Sequence, residues 1–278
     1  MALRRLAAVL AVLSVAGCGS APTAPSVAVG AGQDGESALL AQLYAAALRS
    51  YGSPAHVEQS TDPVADLDTG DVAVVPGLTG RFLQRFDPGA TARAGDWVYR
   101  TMISALPEGV AAGDYAQSAE DKPALAVTEA TARAWGRRDV SALVAHCGGL
   151  TVGAVDGARA PTAVASCRLP APLEFPDAPT LVAALRSGRI DAAWTSTATP
   201  GTPDDVVVLG DRTSSIRAEN VVPLYRRNEL GERQVLALNE IAGELDTGSL
   251  ADMLRQVDEG TEPGAVASDW LAAHPLGK

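Results

Sequence analysis

The chain has 278 residues, 47% of them hydrophobic and 20% charged, with 22 lysines and arginines against 33 aspartates and glutamates. That length and apolar content are enough for two packed lobes of ordinary domain size. A formal charge of −11 argues against nucleic acid as a partner; it serves solubility and is compatible with a cationic ligand without calling for one.

Residues 1–17 read as a signal peptide. Arg4 and Arg5 form a positive region, and residues 6–15 are an apolar run too short to span a membrane as a mature helix. Val15-Ala16-Gly17-Cys18 resembles the bacterial lipobox, which implies acylation of Cys18 and a lipid anchor on the outer face of the cytoplasmic membrane. An ordinary secretory signal is the competing reading. Residues 18–26 are rich in Gly, Ser, Ala, Pro and Thr and suit a flexible tether. No later stretch is long and apolar enough to span a bilayer. Setting Cys18 aside leaves Cys147 and Cys167. In an oxidising compartment a disulfide between them is expected, the alternative being two buried thiols. Only His146 lies near them and no C-x-x-C spacing exists, so no metal site is expected.

Residues 27–29 are short, apolar and partly β-branched, which predicts a buried strand. Gly30, Gly32 and Gly35 follow as a turn that could bring backbone close to a ligand. Asp34 is placed to cap a helix, Glu36 suits its positive end, and Leu40, Leu43, Tyr44, Ala47, Leu48 and Tyr51 give it one apolar face up to Gly52. A short strand at 55–58 and a helix opened by Asp62 and Pro63 come next, stopped by Gly70. Residues 71–75 read as a buried strand, ended by the segment 76–80; helical patches are predicted at 82–86 and 97–103. Beyond the apolar run 124–127, Thr128 and Asp139 are expected to cap two helices, and 150–155 is a strand. The helix, glycine, acid and strand of residues 181–194 echo residues 67–75, which suggests two similar α/β lobes facing one cleft. Ligands of such sheets bind beyond the carboxyl ends of the strands. A strand at 206–209, a crossing back at 220–224 and helices at 232–245, 247–257 and 261–273 complete the chain.

Gly30, Gly32 and Gly35 fit G-x-G-x-x-G by letter, but a lone match outside the cytoplasm is weak evidence for a dinucleotide. His56, His146 and His274 lie in no catalytic spacing, so neither an enzyme nor a cofactor is expected.

The order of these segments resembles osmoprotectant substrate-binding proteins of ABC importers, the receptors for glycine betaine, carnitine, choline and proline. The likeness is carried by Val29-Gly30, Glu36 and 39–52 at the start, Thr79-Gly80 at a strand end, 120–127 and 220–226 at the crossings, and 237–250 with 266–271 in the tail. It implies a type II periplasmic-binding-protein fold, α/β, with two lobes joined by a two-strand hinge around a ligand cleft. Lobe one takes 27–121 and 223–278, lobe two 122–222. It also implies delivery of a small osmoprotectant, glycine betaine or a related quaternary amine, to a permease, by a protein expected to act as a monomer. A different small ligand, such as an amino acid or polyol, and a non-transport sensor or interaction lipoprotein are the alternatives.

Gly77 and Leu78 stand where the family usually has glutamate and tyrosine, and Pro123 where a further aromatic is common. The candidate ligand residues are therefore Trp194 as an aromatic wall, with Tyr115 or Phe175 beside it, and Thr79, Thr195 and Ser196 for the polar end. Gln33 and Gly35 are added from the first turn, and Lys122 as a partner for an anionic group. Thr79 could equally bond its own turn, Lys122 could be a solvated hinge residue, and Trp194 could be core.

Overall fold

The computed structural model describes residues 26–199 and 201–277. The expected signal peptide and the expected anchor at Cys18 lie outside those residues.

The first sheet begins with β1 (Val27–Ala31), which runs into α1 (Gly35–Ser50). Asp34 caps this helix by accepting the Ser37 N–H at 2.9 Å. β2 (Ala55–Gln59), α2 (Pro63–Thr69), β3 (Val74–Leu78), α3 (Thr79–Phe86), α4 (Gly95–Ala105) and β4 (Val110–Ala112) follow. The chain then crosses to a second sheet. It contains β5 (Pro123–Thr128), α5 (Glu129–Trp135), α6 (Val140–Ala145), β6 (Val152–Val155), the small hairpin β7 (Ala163–Val164) and β8 (Cys167–Arg168), β9 (Leu173–Phe175), α7 (Ala178–Arg186), β10 (Ala192–Ser196) and β11 (Val206–Val208). Finally β12 (Val221–Arg226) returns to the first sheet, and α8 (Glu232–Glu244), α9 (Thr247–Asp258) and α10 (Pro263–Ala273) pack against it. The strand orders are β2-β1-β3-β12-β4 and β11-β5-β10-β6-β9. In each, one antiparallel strand entering from a crossing is wedged among parallel neighbours.

Gly30 lies inside β1, where a Cβ would sit 3.0 Å from the Cβ of Pro63 and 3.1 Å from Val72 and Val75. The close approach expected of this glycine is therefore to protein: it lets α2 and β3 lie flat on β1. Helix α1 is the hub of the first core. Leu39, Leu40, Leu43, Tyr44, Ala47 and Leu48 are buried with Leu238, Ile241, Met253, Val266 and Trp270 from the three carboxyl-terminal helices.

The strand expected to end at Val75 instead runs on to Leu78, through Pro76 and Gly77. Proline is tolerated because Pro76 stands opposite Pro223 of β12. The bond from Thr79 N–H to the Asn220 carbonyl at 2.9 Å fixes the alternation of the ladder, so this pair falls where no N–H is exchanged. β1 pairs with β3 only at Val74, leaving no partner to demand an N–H from Pro76 on the other side.

The second lobe has its own core, with Leu125, Val127, Leu143, Val152 and Trp194 at its centre. A disulfide joins Cys147 to Cys167, tying α6 to the small hairpin. No helix among the described residues is long and apolar enough to cross a membrane.

Candidate functional site

The carboxyl ends of β1, β3 and β10 and both crossings meet at one cleft between the sheets. It holds two adjoining chambers of about 600 and 620 Å³ that share Arg81, Pro123 and Arg159 in their walls. A charged cluster sits at their junction. Arg81, in the first turn of α3, places Nη2 2.6 Å from Glu36 Oε2 and 4.0 Å from Asp121 Oδ2. Its backbone N–H donates to Glu219 Oε2 at 2.8 Å. Arg159, from the second lobe, donates through Nη1 to Glu219 Oε1 at 2.8 Å and through Nη2 to the Asp121 carbonyl at 3.3 Å.

Local sequence explains this convergence. Glu36 occupies the first turn of α1 and Arg81 that of α3, so both helices aim their amino-terminal ends at the cleft. Gly80 lets Glu219 reach Arg81: a Cβ there would lie 2.5 Å from the Ala218 carbonyl and 2.7 Å from the Glu219 carboxylate. Asp121 and Glu219 stand on the two crossings, whose backbones are bridged by the bond from Asp121 N–H to the Glu219 carbonyl at 2.9 Å.

Burial dominates the electrostatics. The Glu36 side chain is 12% exposed. Its carboxyl is pushed up to about 7, by desolvation first and by neighbouring Asp121, against the opposing pull of Arg81 and Arg159. Burial also raises Glu219, despite Arg159 and Arg81 beside it. Among the described residues Glu36 Oε1, Asp121 Oδ1 and Arg81 Nε are buried with no hydrogen-bond partner, apart from the bond between the Glu36 and Asp121 carboxyls.

Of the residues singled out from sequence, Thr195 and Ser196 line the smaller chamber. The others are placed differently. Trp194 borders that chamber but is only 2% exposed, because pairing of β10 with β5 sets it opposite Leu125 and turns its ring into the second core. Phe175 is likewise buried, with Arg189 over its ring. Tyr115 packs at a tilt against Tyr99, ring centroids 4.5 Å apart, in the first lobe and lines neither chamber. Thr79 is fully buried, and its hydroxyl accepts the Asn220 N–H at 3.1 Å, fastening α3 to the return crossing. Lys122 lies 3.6 Å from Glu120 and 3.7 Å from Asp211, facing a separate cavity of about 280 Å³ behind the hinge. Its charge is already matched by two carboxylates. Gln33 bonds the Ser60 carbonyl outside both chambers, and a Cβ on Gly35 would point at Val257 of α9. Among the described residues neither chamber presents an exposed aromatic ring, and at their junction lies an ionic cluster whose members, apart from the helix-end role of Glu36, sequence reasoning passed over. Glu36 has an ordinary helix-end reading, Arg81 falls just ahead of the predicted helix 82–86, and Asp121, Arg159 and Glu219 lie in connecting segments.

A family model described as the substrate-binding domain of ABC-type glycine betaine transport systems matches residues 25–273. Among solved structures, the chain is similar to apo YehZ from Escherichia coli, at 19% identity and a TM-score of 0.69, covering 91% of this chain and 99% of that one. It is similar also to a glycine betaine/carnitine/choline ABC transporter protein, at 17% identity and a TM-score of 0.71, covering 90% and 98%. A choline-binding protein of an ABC transporter, solved with choline, gives 15% identity and a TM-score of 0.57 over 90% and 89%. No curated protein sequence matches the chain. The fold is the two-lobed periplasmic-binding-protein fold.

Proposed function

From the premise that the chain belongs to the substrate-binding family of ABC-type glycine betaine transport systems, which binds solutes and is not an enzyme family, we propose how it serves such a system. It is an extracytoplasmic receptor, anchored through acylated Cys18, that captures a small charged solute between its lobes as a monomer. The closed form is then presented to a membrane permease. The observation that carries this reading is the charged cluster at the junction of both lobes and both crossings, with three buried polar atoms that lack a hydrogen-bonding donor or acceptor among the described residues when the carboxylates are ionised. Such atoms are rare in folded proteins, and their convergence on one chamber supports a polar ligand there. A quaternary amine such as glycine betaine is the second reading, favoured by the family itself.

The test is a thermal-shift and calorimetric screen of the purified protein against betaines, choline, carnitine, amino acids and polyols. A ligand that binds only the folded state raises its melting temperature by mass action. At least one small charged solute is expected to give a saturable rise. A flat response across the panel would overturn the receptor reading and leave the sensor or interaction alternative.

A further inference from the structure

The cleft carries more information than the presence of charge. Six buried side-chain polar atoms among the described residues have no hydrogen-bond partner, and three of them, Glu36 Oε1, Asp121 Oδ1 and Arg81 Nε, belong to this single cluster. Glu36, Asp121 and Arg81 all line the smaller chamber. Two of the three atoms are carboxylate oxygens closed to solvent, and the Glu36 and Asp121 carboxyls share a hydrogen bond, so a ligand's donor has to enter between them. A quaternary ammonium has no N–H to give. It is held instead by charge and by aromatic faces. Among the described residues the only aromatic side chain in this chamber's wall is Trp194, and its ring is taken up by the second core. An ammonium that keeps N–H bonds would satisfy both oxygens with charge-assisted hydrogen bonds, which are about twice as strong as neutral ones.

The second lobe's side of the chamber suits the other end of a zwitterion. Arg159 uses two of its five N–H donors, on Glu219 and the Asp121 carbonyl. Thr195, in the same wall, has a hydroxyl with no partner among the side-chain hydrogen bonds, while the Ser196 hydroxyl is shared with Thr199 at 3.0 Å. We propose that the chamber selects small zwitterions whose cationic nitrogen retains N–H bonds, α-amino acids and their partly N-methylated relatives, over fully quaternary ones. Glu36 and Asp121 accept from that nitrogen, and Arg159 and Thr195 meet the carboxylate. This rests on the solute-receptor reading and narrows its ligand.

Five charged groups face the Glu36 carboxyl or its immediate partners: Arg81 from α3, Asp121 and Glu219 from the crossings, Arg159 from the second lobe, and Asp34 at the start of its own helix. Without ligand, burial leaves the Glu36 carboxyl holding a proton up to about pH 7. An incoming N–H cation takes that proton's place, so binding releases a proton near neutral pH.

Matched pairs isolate the N–H bonds. Glycine, alanine and arginine are each compared with the same molecule carrying a trimethylated α-nitrogen, by isothermal titration in two buffers of different ionisation enthalpy. In any pair that binds, the N–H member is expected to be at least tenfold tighter and to release a proton. Glu36→Gln and Asp121→Asn should each bring that ratio towards one, the first abolishing the release and the second reducing it, while circular dichroism remains that of the native protein. The inference is overturned if the quaternary member is tighter, or if the preference persists in both variants. It also fails if no pair binds while another solute of the wider screen does, which leaves the receptor reading standing. If nothing in the screen binds, both fall.

Discussion

Glu36 offers a direct physical check on the cleft, independent of any ligand. Its carboxyl is raised from 4.5 to about 7 in the folded protein. Between those values the folded chain binds more protons than the unfolded one, so stability must fall as pH rises. The cost is absent below pH 4.5 and fully felt above 7. At 1.36 kcal/mol for each pH unit of displacement, the whole rise amounts to roughly 3 kcal/mol. Glu36→Gln keeps an oxygen for Arg81 Nη2 and offers an amide N–H to Asp121, but it does not titrate. The assay is urea unfolding of both proteins at a series of pH values from 4.5 to 8. The stability of the variant relative to wild type should improve by about 3 kcal/mol across that range, whatever its offset at the acid end. Glu219 is raised in both proteins, so it largely cancels in the difference. Asp121→Asn should remove part of the same slope, because Asp121 helps to raise Glu36. Parallel curves for wild type and Glu36→Gln would refute the claim that Glu36 is a buried proton-holding group.

Two further substitutions separate core from cleft. Trp194→Phe should cost stability through lost packing in the second core but leave solute affinity within about threefold, and Trp194→Ala should cost ~3–5 kcal/mol. Urea unfolding and titration of the same samples check this, and a tenfold affinity loss at unchanged stability would return Trp194 to the cleft wall. Thr79→Val keeps shape but strands the buried Asn220 N–H, so it should lower stability by ~1–3 kcal/mol without altering which solutes bind. A changed preference among solutes, in the same titrations, would make Thr79 a ligand contact.

Much of the architecture was legible because its signals are local. Asp34, Asp62, Thr128 and Asp139 all cap helices as their spacing indicated, and Gly70 ends α2 in the left-handed conformation. The echo between residues 67–75 and 181–194 corresponds to α2 with β3 and α7 with β10. What local signals could not give was the direction in which a strand residue points. Trp194 and Thr195 are neighbours on one strand, so one faces the core and the other the opposite side. Which one is decided by the register with β5, a partner some 70 residues distant in sequence. β3 was cut short for a similar reason. Pro76 reads as a strand breaker until Pro223 is seen opposite it. The ionic cluster was least legible of all. Glu36 and Glu219 lie at opposite ends of the chain's path and meet only because both crossings pass over the start of α3.

That convergence ties recognition to lobe movement. Arg159 is the second lobe's contribution to the cluster, and its partners Glu219 and Asp121 stand on the two crossings about which the lobes must turn. Arg81 completes the chain of charges to Glu36 on the first lobe. A solute that bonds Glu36 and Asp121 at one end and Arg159 at the other therefore bears on the groups that fix the angle between lobes. A ligand shifts a conformational equilibrium only by its differential affinity for the two states. Contacts confined to one lobe would bind without favouring closure. Contacts spread along this cluster favour the closed state in proportion to how completely the solute matches both ends. On the proposed binding mode, selectivity for the solute and the population of the closed receptor are set by the same few side chains.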